Sequence, residues 1–168
     1  GTANAVSVFN SPTAMQLRDV SGNGDGDSTG GGSLKNSYVG LNLGGTVGLA
    51  ATVNGLIIED SSDFEIGGAS KNVFATITSN AISVLNSSNI NLSANYIGTS
   101  SSGNTSLPVG IGIFAKGIKK LAVGVSNRLT VINGTKGVVL RDDVIGSVTG
   151  TNVSMVNCNI GLNASGNA

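Results

Sequence analysis

The chain has 168 residues, with nine basic and nine acidic side chains and no His. An apolar share of 39% and a mean hydropathy of +0.24 exclude a disordered tail, which needs few apolar residues and high net charge. No uninterrupted apolar run approaches the roughly 18 to 20 residues of a membrane-crossing helix, and without a basic cluster larger than Lys119-Lys120 the electrostatic footprint of a nucleic-acid binder is missing.

Charged residues make up 11% of the chain, below the roughly 25% of an average soluble protein. Gly, Ser, Asn and Thr take their place, a substitution typical of extracellular β-rich proteins. The sequence carries no signal peptide at Gly1 and opens inside a strand-like pattern, which suggests a processed or excised piece of something longer.

In chain order, the first predicted strand is Asn4-Ala5-Val6-Ser7-Val8-Phe9-Asn10-Ser11, where Val6 and Val8 alternate with polar neighbours. Residues 12 to 35 depart from the pattern of the rest, and a Gly/Asp-rich loop insertion is expected at about 19–33. Within it Asn23, Asp25 and Asp27 alternate as oxygen ligands do in calcium loops. They are the candidate calcium site. The motif lacks a glycine after Asp27 and a bidentate Glu at the right distance, so a flexible acidic loop without a cofactor is preferred.

Further short strands follow at Tyr38-Val39-Gly40, Asn54-Gly55-Leu56-Ile57-Ile58, Phe64-Glu65-Ile66-Gly67 and Asn80-Ala81-Ile82-Ser83-Val84-Leu85. Ile90 and Leu92 alternate in the next burst, and Tyr96-Ile97-Gly98 repeats the Tyr38 unit. Ile111-Gly112-Ile113-Phe114 resembles the Asn54 unit, and Leu121-Ala122-Val123-Gly124 the Phe64 unit. Phe114, Ile118, Leu121 and Ala122 also form the stripe of an amphipathic helix, but Gly117 interrupts it, and the strand reading is preferred. Gly137-Val138-Val139-Leu140, Val153/Met155 and Asn159-Ile160-Gly161 complete the series. Cys158, the single cysteine, is expected to be a small buried strand residue.

The units return in one order at roughly 55 to 63 residues, and the Asn4–Ser11 unit is aligned with Asn80–Ser87. Short strands that cannot each bury a face alone, joined by turn residues that return in register, predict stacked repeats. The expected fold is all-β, a right-handed parallel β-helix or β-solenoid occupying residues 1–168 as a single domain. With three strands per coil of about 22 to 30 residues, the repeating unit is two coils and the chain holds about six. At ~4.8 Å per coil the stack is about 25 to 30 Å tall. Asn72, Asn80, Asn89, Asn95 and Asn152 are expected beside the strands at turns, and Gly40, Gly67, Gly98, Gly124 and Gly161 at positive-φ bends.

The run Asn54-Gly55-Leu56-Ile57-Ile58, Phe64-Glu65-Ile66-Gly67-Gly68, Asn72-Val73, Asn80–Val84 and Asn95-Tyr96-Ile97-Gly98-Thr99 resembles the Asn-Tyr-Ile-Gly-Thr class of parallel β-helix repeats. These belong to large secreted and surface proteins of bacteria within the pectate-lyase-like superfamily. The match is tightest over 54–113. It implies a surface, adhesin-like or filament-like role and supplies no catalytic motif.

Glu59, Asp60, Asp63 and Glu65 fall in one coil and form the candidate ligand-binding group, since paired carboxylates on such a flank suit glycoside hydrolysis. Asp142-Asp143 adds a pair. With no His or Trp and six Phe and Tyr together, the sequence favours turn residues that keep a sheet surface soluble. Sequons at Asn86, Asn91, Asn104, Asn133, Asn152 and Asn163 support exposure only weakly, and Thr76-Ile77-Thr78 is too short for an ice-binding ladder.

The leading expectation is a non-catalytic extracellular structural or adhesive β-solenoid that self-associates through its coil ends or flanks, in the extreme as a head-to-tail fibre. Polysaccharide or cell-surface components are the other expected partners; nucleic acid and membrane insertion are not. A polysaccharide-binding or polysaccharide-cleaving module is the alternative, and a phage or virus fibre segment the second.

Overall fold

A computed structural model describes residues 6–21, 32–49, 52–141 and 152–167. Its strands are β1 (Val6–Val8), β2 (Thr13–Arg18), β3 (Gly32–Leu34), β4 (Ser37–Val39), β5 (Asn54–Glu59), β6 (Ser62–Phe74) and β7 (Asn80–Leu85). There follow β8 (Ser88–Ile97), β9 (Val109–Lys116), β10 (Lys120–Val123), β11 (Thr130–Ile132), β12 (Gly134–Arg141), β13 (Asn152–Met155) and β14 (Cys158–Ile160). Among the described residues there is no helix. The stripe from Phe114 to Ala122 is divided between β9 and β10, because Gly117 takes a left-handed turn at φ +64°.

Every pairing between these strands is parallel, and the pairs define three ladders. The first is β2, β5, β7, β9 and β12. The second joins β3, the first half of β6, the first half of β8, β10 and β13. The third joins β1, β4, the last residues of β6 and β8, β11 and β14. After β1 the chain visits the ladders in the order first, second, third, and repeats that order five times.

Register keeps like residues in columns. Leu56, Ile82, Ile113 and Val138 are successive partners on the first ladder, separated by 26, 31 and 25 residues. Tyr38, Val73, Tyr96, Val131 and Asn159 are successive partners on the third. Strand alternation then sends one set of side chains from all three ladders into a single core. Leu56, Ile58, Ile82, Val84 and Ile113 meet Phe64, Ile66, Ile90, Leu92 and Leu121, with Val39, Phe74, Ile97 and Ile132 closing the third side. Burying each such side chain contributes about 1.5–3 kcal/mol.

Two sequence expectations are corrected. The Asn4–Ser11 unit does not correspond to Asn80–Ser87: β1 pairs with β4 on the third ladder, whereas β7 pairs with β5 on the first. The two bursts look alike because both ladders need the same inward alternation. The departure from the pattern is also smaller than 12–35, and residues 22–31 of the expected insertion lie outside the described residues. Thr13–Arg18 is a regular rung on Asn54–Glu59, and Gly32–Leu34 one on Phe64–Ile66.

The corners follow from backbone chemistry. Asp19, Asp60, Asn86 and Gly117 form a column of left-handed residues between the first and second ladders, at φ of 53°, 49°, 47° and 64°. The N–H groups of Asp19, Asp60 and Asn86 each donate to the next rung, at Glu59 O, Leu85 O and Lys116 O. Short side chains that tolerate this conformation recur there for that reason. Of the asparagines expected at turns, Asn89 is left-handed, but Asn72 and Asn95 are fully buried and bond as a column inside the fold. The five glycines expected at bends, Gly40, Gly67, Gly98, Gly124 and Gly161, all have φ between +73° and +101°.

Candidate functional site

The four acids of one circuit are not brought together. Glu59 ends β5 and points outward from the first ladder, where its carboxylate accepts from Arg18 Nε at 2.9 Å and Nη2 at 2.6 Å. That contact raises the Arg18 pKa, first through the hydrogen bond and then through charge. Glu65 points outward from the second ladder and lies 2.7 Å from Lys35 Nζ and 3.6 Å from Arg128 Nη1. Gly68 leaves room for that carboxylate, since a Cβ there would sit 2.6 Å from it.

Asp60 is the left-handed corner residue between β5 and β6. Asp63 is also left-handed, at φ 60°, and buried at 6% exposure. Its Oδ2 accepts from Ser62 Oγ at 2.8 Å and its Oδ1 from Asn89 Nδ2, one rung on, at 2.6 Å. Ser61 and Ser87 add a similar column beside it: each hydroxyl donates to the carbonyl two residues back, and Ser61 N donates to Ser87 Oγ at 3.2 Å.

The candidate calcium residues Asn23, Asp25 and Asp27 lie outside the described residues, as does the pair Asp142-Asp143. Among the described residues no group of three or more His, Cys, Asp or Glu is placed to hold a metal.

The most regular surface feature escaped the sequence reading. Three loops leave the third ladder, after β4, β8 and β14, and share one construction. Gly45, Gly103 and Gly166 donate to Asn42 O, Ser100 O and Asn163 O at 2.8, 2.8 and 3.0 Å. All three glycines are left-handed, at φ 66°, 79° and 79°. Asn42 Oδ1 accepts the N–H groups of Thr46 and Val47, and Asn163 Oδ1 those of Ser165 and Asn167. The loops also stack: Ser101 N donates to Gly45 O at 2.7 Å and Ala164 N to Gly103 O at 3.0 Å.

Beneath the loops lies a second apolar cluster on the outer side of the third ladder. Leu41, Val73 and Ala75 are buried there, with Tyr38, Tyr96 and Leu107 packed against them. The loops recur at every second visit to the ladder, 58 and 63 residues apart, which is the physical origin of the long sequence repeat. A legible signal existed: Gly40/Gly45, Gly98/Gly103 and Gly161/Gly166 repeat one spacing.

No family model matches the chain, and neither a curated protein nor a solved structure is significantly similar to it.

Proposed function

We propose that the chain is a right-handed parallel β-helix and serves as a non-catalytic extracellular scaffold, structural or adhesive, that displays its stacked loops. The cyclic order of the three parallel ladders and their common core support the coil architecture. Right-handedness follows from the strong preference of parallel crossover connections for that route. About five coils are accounted for, with β1 supplying one strand of a sixth.

The observation that carries the functional reading is the use made of the acids. Asp60 and Asp63 hold left-handed backbone positions, and Glu59 and Glu65 hold ion pairs with Arg18, Lys35 and Arg128. General acid and base pairs need two carboxylates converging on one substrate bond at a separation of roughly 5 to 9.5 Å, whereas Glu59 and Glu65 project from different ladders. The Ser, Asn and Gly content is spent on corners and loop stacking, as a rigid, weakly charged display surface requires. A secreted or cell-surface location fits the low charge and the resemblance to surface repeat proteins.

A panel of acidic and neutral polysaccharides, incubated with the protein with and without calcium, tests this directly. The expected result is no turnover, and no change on Asp60→Asn. Calcium-dependent cleavage lost in Asp60→Asn overturns the scaffold reading in favour of a polysaccharide-cleaving module.

A further inference from the structure

The three ladders differ in what their outer faces carry. On the second, Glu65 holds Lys35 and Arg128. On the third, the stacked loops lie over the cluster of Leu41, Val73 and Ala75. The first ladder presents apolar side chains. Alternation that sends Leu56, Ile58, Ile82, Val84 and Ile113 inward turns Ile57, Leu85, Phe114 and Val139 outward. All four are partly exposed, and none belongs to either buried apolar cluster.

Register lines these side chains up. Ile57, Ser83, Phe114 and Val139 are successive partners in one outward column, and Glu59, Leu85, Lys116 and Arg141 in the next. Ser83 is 4% exposed and accepts from Asn80 Nδ2 at 3.1 Å, so the larger side chains beside it stand at the surface of the strip. Single apolar side chains are ordinary on a surface, but these run over consecutive rungs. The strip is centred on β5, β7 and β9, each of which has a rung on both sides, so it belongs to the flank of the stack and not to its ends.

Charge is spread unevenly along the edge of the same face. Its first two rungs carry Arg18, Asp19, Glu59 and Asp60, whereas among the described residues its last two carry the bases Lys116 and Arg141.

We propose that this face binds a second copy of the chain side by side, about a two-fold axis running along β7. Such an axis keeps the strand direction and reverses the order of rungs, so β5 of one copy faces β9 of the other. Ile57 then meets Phe114 of the partner subunit, Leu85 meets its own counterpart, and Glu59 meets Lys116 of the partner subunit. With the order of rungs kept instead, the acidic edge would face Thr13 and Asn54 and find no base. Sheets packed ~10 Å apart over five rungs of six-residue strands share about 400 Å² per copy, half the ~800 Å² of a stable interface. The dimer is therefore weak and forms at high concentration. It rests on the register of the first ladder and not on the scaffold reading, so turnover of a polysaccharide would leave it untouched.

Sedimentation equilibrium of the whole chain, from micromolar to millimolar concentration, tests the pairing. The expected result is a monomer–dimer equilibrium whose dissociation constant rises at least about tenfold in Phe114→Asp and at least about threefold in Glu59→Lys. The Glu59→Lys loss is recovered when Lys116→Glu is added to the same chain. Circular dichroism checks that each variant keeps its sheet, and if Phe114→Asp does not fold, Glu59→Lys at the solvent edge carries the test. A chain that stays folded and monomeric at millimolar concentration overturns the proposal and leaves the face to a different partner. A dimer that neither single substitution weakens overturns this face, and failure of the double substitution to restore it overturns the reversed order of rungs. Assemblies larger than two overturn the two-fold pairing.

Discussion

The side-chain amide nitrogen of Asn72 donates to the amide oxygen of Asn95 at 3.2 Å, one rung apart and fully shielded from water. Around that bond, Ser37 N donates to Asn72 Oδ1, Asn72 Nδ2 reaches Leu34 O, and Asn95 Nδ2 reaches Ile66 O. The column therefore ties the second ladder to the third across several circuits. Asn95→Ala leaves the Ile66 carbonyl and the Asn72 amide short of a buried partner, at a cost of about 2–4 kcal/mol. Urea unfolding followed by circular dichroism checks this, with the midpoint falling and the slope unchanged.

The next position of that column is Thr130, whose hydroxyl is buried without a hydrogen-bond partner. Replacing an unsatisfied polar atom by an apolar group of the same shape removes a desolvation penalty. Thr130→Val is expected to leave stability unchanged or raise it by up to about 1 kcal/mol. The same unfolding measurement reads the sign.

Gly98 and Gly161 share a left-handed backbone but not their surroundings. Alanine at Gly161 meets only the conformational cost, of order 1–3 kcal/mol. At Gly98 it must also displace the Asn133 carbonyl, 1.6 Å from the new Cβ. Differential scanning calorimetry is expected to show a clearly larger Tm loss for Gly98→Ala than for Gly161→Ala.

Glu59 holds Arg18 at a partly exposed site, with side-chain exposures of 57% for Arg18 and 21% for Glu59. Exposed ion pairs contribute little, so Glu59→Gln is expected to leave the urea midpoint close to that of the wild type. The difference from wild type should shrink further in 1 M salt, where the Debye length is about 3 Å.

Burial raises the Cys158 pKa above its ordinary value, although a bond to the Val156 carbonyl accompanies it. The folded state thus holds the thiol proton more tightly than the unfolded chain does. Its contribution to stability is complete below the unfolded thiol pKa and is lost as pH rises through the folded one. Alkylation of the native protein near pH 8 is expected to be slower than that of the urea-unfolded chain and to accelerate with rising pH.

Much of the strand pattern was legible because inward alternation is a local property: Leu56/Ile58, Phe64/Ile66, Ile82/Val84 and Leu121/Val123 announce themselves in any window. The left-handed glycines were legible for the same reason. Which burst stacks on which was less so, as the misplaced Val6/Val8 unit demonstrates, because every ladder imposes the same alternation and only the connecting lengths distinguish them. That Glu59, Asp60, Asp63 and Glu65 would be turn or surface residues was the favoured reading, but the long-range partners that hold three of them could not be read. Their partners Arg18, Asn89, Lys35 and Arg128 are 26 or more residues away and are brought near by stacking alone.

The bond between introduced cysteines at Ile57 and Ser83, in the Cys158→Ser chain, tests the stacking most directly. The parallel register makes these residues ladder partners on adjacent rungs, so air oxidation should link them within one chain, visible as a shift on a non-reducing gel and as a single crosslinked peptide by mass spectrometry. An Ile57–Val139 pair, three rungs apart on the same ladder, should not link. Efficient closure of the distant pair, or failure of the neighbouring one in a folded protein, would contradict the architecture.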